Sequence, residues 1–233
     1  SVGGQFTQRK NSGSGTSRNP AIRAQHIASG TTSAKVDLAT ADGYASYIHS
    51  GTNGPFTAAH DSLILKTEAF EEGDIVVDTT VANKRGISDV ICYGTKSTEA
   101  NQKGAIGVYN SRKSLTVDQP PAGLTDHYVE VDNPNDPDAP LTEKPVPIAE
   151  TETISDTHDV AMVNSIGEGL INVCGEAGNI ALGDLIVPSG TAGKGMKQAD
   201  DIIRSQTVAK AREAVTFASA SDTAQIACTY VCG

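Results

Sequence analysis

The sequence predicts an all-β protein, a short-stranded β-barrel or sandwich body behind an extended N-terminal arm. Glycine makes up 23 of 233 residues and proline 10, aromatics are 4% and tryptophan is absent. β-branched side chains suit a pleated sheet and glycine supplies positive φ, so this usage favours short strands joined by turns. Apolar residues alternate in the closing stretch QIACTYVCG, where Ile226, Cys228, Tyr230 and Cys232 oppose Ala227, Thr229 and Val231. Charge is the third observation. No acidic residue precedes Asp37, whereas Arg9, Lys10, Arg18, Arg23 and Lys35 carry five positive charges. The net charge of −10 therefore leaves −15 on the rest, a basic arm on an acidic body.

Residues 1–35 are rich in Ser, Gly, Thr and Asn, too polar to bury a core alone. They read as an attachment arm ordered on a partner, with Arg9, Lys10, Arg18 and Arg23 as its binding residues. Five scattered charges make a poor phosphate-tracking groove, which argues against nucleic acid. The second division, residues 36–233, is the β-rich body.

The body opens with VDLATADGYASYIHSG, read as two strands about a turn at Asp42-Gly43, before a Gly54-Pro55 loop. Ser62 to Lys66 and Ile75 to Asp78 read as strands. The pair GDIVVD (73–78) and GDLIVP (183–188) each place a Gly-Asp turn before three apolar residues, read as a hairpin turn that fixes register. GAIGVYN at 104–110 adds a strand whose glycine allows close backbone approach.

Residues 111–157 look irregular. Pro120-Pro121, NPNDPDAP and EKPVP deny sheet donors, and Asp126, Glu130, Asp132, Asp136 and Asp138 fall within thirteen positions. An acidic surface excursion is expected. The prolines break the loop that a calcium cage needs. Sheet resumes from DVAMVNSIGEGLINVCG, where glycines at 167, 169, 175, 178 and 183 recur at hairpin spacing. TVAKAREAV has helical composition but strand-like neighbours, and strand is favoured.

Candidate chemistry is sparse. SGTAGKGMK lacks the spacing and closing hydroxyl of a phosphate loop and reads as a mobile turn. Cys228 and Cys232 lie four apart along a strand, about 13 Å, beyond disulfide reach and unlike zinc-finger spacing. With Cys92 and Cys174 they read as reduced thiols, the usual state in a cytoplasm. His60-Asp61-Ser62 and His158-Asp159 are consecutive on strands and so point to opposite faces, unlike a triad. Glu71-Glu72 and Asp200-Asp201 read as turn acids, not as a glycosidase pair. No catalytic residue, cofactor site or metal site is predicted. No apolar run approaches the roughly 18 residues of a membrane helix and no secretion signal opens the chain, so a soluble protein without membrane contact is expected.

The segments HDSLILKT…EEGDIVVD and INVCGEAGNIALGDLIVPSGTAGKGMKQADDIIRSQTVAKAREAVTF…IACTYVCG resemble a C-terminal module of tailed-bacteriophage fibre, appendage and other virion proteins, especially marine ones. The likeness covers residues 58–109 and 158–233. It rests on the Gly-Asp-Leu-Ile strand, the Gly-Lys-Gly loop, the Thr-Val-Ala-Lys segment and the terminal Cys-Thr-Tyr-x-Cys-Gly. The resemblance implies small β-units that associate as trimers. The chain departs from a tail fibre in having only a 35-residue arm where shaft repeats would stand.

The expected function is thus non-enzymatic: a homotrimeric capsid decoration, head-fibre or tail-fibre protein of the virion, made in the host cytoplasm. Its partners would be its own copies and the major capsid or tail proteins. One alternative is a self-cleaving chaperone or receptor-degrading spike, for which Ser1 would be a cleavage product and not the residue left by Met removal. The other is a host-adhesion module that binds a surface glycan.

Overall fold

The computed structural model describes residues 26–28, 31–33, 58–85, 89–131 and 142–232. Arg9, Lys10, Arg18 and Arg23 of the expected arm lie outside them, as do the strands expected over 36–51 and the acidic, proline-rich run at 132–138. The chain divides into two compact units, Ser1–Asn53 and Gly54–Gly233. In the first, strands β1 (His26–Ala28) and β2 (Thr31–Ser33) pair antiparallel. The second holds everything that follows, and the all-β expectation is met there.

Nine strands form one sheet that closes on itself twice. They are β3 (Ala58–Leu65), β4 (Ile75–Arg85), β5 (Asp89–Lys96), β6 (Ala105–Lys113), β9 (His158–Cys174), β10 (Leu185–Pro188), β11 (Gly195–Lys197), β12 (Ala209–Ala211) and β13 (Thr223–Val231). The order β9-β3-β5-β4-β6 returns to β9, and β9-β13-β12-β10-β11 returns to β9 again. Each circuit is a five-stranded barrel. An odd ring cannot alternate direction throughout, so each needs a parallel joint. The first supplies it at β3–β5 and the second at β11–β9.

β9 makes this possible. It runs for 17 residues, about 55 Å at the usual rise per residue. Its first half pairs with β3 and β6, and its second half with β13. Two expectations change here. The body is not uniformly short-stranded, since β4 also reaches 11 residues. Nor do Gly167 and Gly169 mark hairpins, because the strand runs straight through both. Gly169 is there for a close approach: a Cβ would strike the Tyr230 hydroxyl, which donates to Leu170 O at 2.7 Å.

The Gly-Asp turns are also corners and not hairpins. β4 pairs with β5 and β6 but not with β3, and β10 pairs with β11 and β12 but not with β9. Their local geometry is shared. Gly73 and Gly183 have φ of 99° and 94°, and the carboxylates of Asp74 and Asp184 accept from the N–H three residues earlier, Glu71 and Ala181. TVAKAREAV resolves as strand at β12, as favoured, because Ala209 and Ala211 are buried inside the second barrel.

The 111–157 region is more ordered than its prolines suggest. After the 3-10 turn Ala122–Leu124, β7 (Thr125–Val131) pairs antiparallel with β8 (Thr142–Pro147), and α1 (Thr151–Thr157) leads into β9. A two-stranded ribbon tolerates proline because each strand has an open edge. Leu115, Leu124 and Ile154 bury with Leu63, Ile91 and Val160 on the outer flank of the first barrel. The region is a cover for that barrel, held by its leucines and isoleucine.

Two further clusters fill the barrels. Ile64, Val76, Tyr109, Ala161 and Val163 occupy the first, with Phe70 stacked on Tyr109 at 5.0 Å. Ile171, Val173, Ile186, Ile226, Cys228 and Tyr230 fill the second, joined by Ile75 and Val108 from the first barrel's wall. Among the described residues no helix is long and apolar enough to cross a membrane.

Candidate functional site

Two places concentrate polar chemistry, one between the barrels and one at the mouth of the first. Between them, the Gly73 turn carries Asp74 into full burial. Its Oδ1 accepts from Lys194 Nζ at 2.7 Å and Asn172 Nδ2 at 2.9 Å. Its Oδ2 accepts from Glu71 N and pairs with Lys96 Nζ, both at 2.9 Å. Burial by itself would raise the pKa of Asp74, but the bonds from Lys194, Glu71 N, Asn172 and Lys96 outweigh it and hold the group below the aspartate range. Burial also works against the Lys194 ammonium, and its bonds to Asp74 and Glu71 more than compensate, so its pKa is raised. This is a satisfied structural joint.

The joint also settles the Gly-Lys-Gly loop. Expected as a mobile turn, it is tied at several points: Gly193 N donates to Ser97 O, Ile75 N to Gly193 O, and Lys194 spends its charge on Asp74 and Glu71. Gly193 has φ 72° and lies so near Asp74 that a Cβ would sit 2.8 Å from its carboxyl carbon. The lysine faces carboxylates and not an open anion cradle.

The second place is a cavity of about 510 Å³ at the end of the first barrel where β3, β5 and β6 begin. β3 presents His60, β4 Asp78 and β5 Cys92; the walls are Val90, Ile91 and Ile106, with Ala122 of the 3-10 turn and Cys232 just past β13. Asp78 Oδ1 is buried without a hydrogen-bond partner. Burial pushes the Asp78 pKa up, and the adjacent Cys92 thiol and His60 offset this only in part. Burial likewise pushes the Cys92 thiol up, and the Asp78 charge adds to it.

A Cys, a His and an Asp thus meet at one cavity, yet with the wrong polarity for nucleophilic catalysis. A reactive thiol needs a cationic neighbour that favours thiolate, whereas Cys92 faces a carboxylate. Among the described residues no group of three His, Cys, Asp or Glu side chains is placed to hold a metal. Among the described residues no Phe, Tyr or Trp lines the cavity, so the broad stacking face that suits a sugar ring is lacking there.

The consecutive pairs singled out in the sequence do not form sites. Ser62 is buried in the first barrel and donates to Cys92 O at 3.4 Å, away from Asp61. His158 packs on Tyr93 and bonds Thr157 Oγ1, and burial lowers its pKa despite the Ile154 backbone bond. Asp159 instead pairs with Arg112 at 3.5 Å. Glu71 serves Lys194, and Asp200 organises its own loop through Arg204, Ile202 N and Gln198. All four cysteines are free thiols; Cys174, Cys228 and Cys232 are buried and Cys92 is half-buried.

Sequence reasoning missed both polar centres. The Asp74 joint spans sequence separations of 98 and 120 residues to Asn172 and Lys194, which no local pattern displays. The repeated Gly-Asp turn was its one visible signal. Asp78 reads locally as a strand residue, and the antiparallel pairing of β4 with β5, with a register shift after Asp78, brings it beside Cys92. No protein-family model matches the chain, and no curated protein matches it.

Proposed function

We propose that this chain is a non-enzymatic structural component of a tailed-phage virion. In this reading it is a homotrimeric decoration, head-fibre or tail-fibre protein, anchored by its basic N-terminal arm to capsid or tail proteins. One observation carries the non-enzymatic part: the one Cys, His and Asp grouping among the described residues has its thiol pushed toward the neutral form by burial and by Asp78. The virion assignment rests on the resemblance of residues 58–109 and 158–233 to virion modules.

The architecture suits such a role. Closure into two barrels leaves few open sheet edges for stray pairing or proteolytic access. On the outward face of β9, Met162, Ile166 and Leu170, each 45–50% exposed, are interleaved with Asn164 and with Glu168, which pairs with Arg212. These three apolar side chains supply contacts at which further copies can complete burial, as the sparse aromatic supply requires.

Light scattering on the full chain tests the assembly: a trimer is expected, and Ile166→Glu with Leu170→Glu should release monomers. A wild-type monomer at all accessible concentrations would sink it. Antibodies to the 54–233 unit should decorate tailed-phage particles carrying this sequence, and bare particles would refute the virion assignment.

A further inference from the structure

Beyond assembly, the cavity at the mouth of the first barrel has a chemistry of its own. We propose that it binds a small organic cation, an ammonium or guanidinium head on an apolar body of about six carbons. Its volume, about 510 Å³, lies within the ordinary range for small-molecule sites, roughly 300–1,000 Å³. Its lining complements such a ligand in both charge and surface. Asp61 and Asp78 are the carboxylates on the lining, and among the described residues no lysine or arginine shares it.

Asp78 is what distinguishes the place from an ordinary acidic rim. Elsewhere in this protein a buried aspartate is supplied with cations, as Asp74 is by Lys96 and Lys194. Asp78 has no ion pair among the described residues; the Cys92 thiol is its one side-chain hydrogen bond, and its Oδ1 has no donor. An unsatisfied buried acceptor is costly and gains most from an incoming charged donor. Val90, Ile91, Ile106 and Ala122 give the same lining an apolar part. Val90 is 49% exposed at the rim, so entry needs no opening of the barrel. An anionic or purely polar ligand would waste one of the two surfaces.

His60, Cys92 and Cys232 are the other titratable side chains on the lining besides the two aspartates. The experiment is run at about pH 8, where ordinary carboxylates are ionised and an alkylammonium keeps its charge. Amide shifts of the full chain are followed by NMR during titration with hexylammonium, 1-hexanol and hexanoate. Shifts should cluster at Ile91, Ala105 and Ala122, with hexylammonium at least about tenfold tighter than hexanol and hexanoate weakest. Asp78→Asn should remove the preference for the cation while leaving weak hexanol binding. Val90→Arg, an exposed change at the rim, should abolish cation binding by placing a competing charge there.

Three results would overturn the proposal. Equal affinity for hexanol and hexylammonium would make the cavity merely apolar. Cation binding indifferent to both variants would place it elsewhere, and no shift at the lining amides with any probe would mean the cavity takes none of them. None of these outcomes bears on trimer formation, so this site and the virion role fail or stand separately.

Discussion

The two barrels share a strand and a strand count but differ in how they are filled. The second encloses most of a cluster of thirteen buried residues, nearly all apolar. The first holds a cluster of five and leaves Ser62, Asp78, His60 and Cys92 toward its mouth. It compensates from outside, where Leu115, Leu124 and Ile154 cover its flank, and from below, where Ile75 and Val108 of its wall point into the second barrel. The lesson is a division of labour: one barrel is a solid foundation, and the other trades interior packing for a cavity.

The largest test of that contrast compares matched truncations. Ile171 is fully buried at the centre of the second barrel, so Ile171→Ala should cost about 3–4 kcal/mol in urea unfolding. Ile106 borders the cavity and is only partly buried. Ile106→Ala should cost about 1–2 kcal/mol, because less packing is lost. Equal costs would erase the distinction between a filled and an open barrel.

The next test exploits two aspartates with opposite surroundings. Asp74→Asn leaves Lys96 and Lys194 facing a neutral amide at the joint and should cost about 3 kcal/mol. The sign with pH follows from its lowered pKa. Its stabilisation is complete above the ordinary aspartate value and is lost as pH falls through the lowered one. Stability should therefore drop below about pH 4, and less steeply in the variant. Asp78 is shifted upward, so its cost is full above the raised value and gone below the ordinary one. Asp78→Asn should then be neutral or stabilising near neutral pH, by up to about 1 kcal/mol. If Asp78→Asn instead cost as much as Asp74→Asn, the carboxylate would have a partner that the cavity argument denies.

How much of this was legible follows the same line between the barrels. Alternation over 226–232 and 170–174 announces the second barrel, because its inward residues are uniformly apolar and local pattern equals environment. The first barrel mixes polar and apolar residues on its inner face, so His60, Ser62 and Asp78 give no such signal. Glycines misled along β9, where Gly167 and Gly169 looked like turns; the reason for Gly169 is Tyr230, 61 residues away and visible only once β13 is paired. Prolines misled over 111–157, where burial of Leu115, Leu124 and Ile154 organises a segment whose backbone composition suggests none.

The smallest effect expected concerns no change in stability at all, only thiol reactivity. Burial pushes Cys228 up to about 12, with the Cys232 charge next in importance, and burial alone pushes Cys232 to about 12. Cys228 lies inside the filled barrel, and Cys232, its Sγ against Val208 O at 3.4 Å, is 5% exposed where it borders the cavity of the open barrel, so little access and little thiolate are available at either. Cys92 is half-buried at the open barrel, and its pKa is raised by burial first and then by Asp78. A disulfide reagent at about pH 8 should therefore label Cys92 slowly and the other three only on unfolding. Asp78→Asn removes the neighbouring charge and should speed Cys92 labelling a few-fold, with no change at Cys228 or Cys232. Mass spectrometry of the labelled peptides reads all four sites in one experiment. Labelling of Cys228 at the rate of Cys92 would mean that the second barrel opens as readily as the first, and the contrast between them would fail.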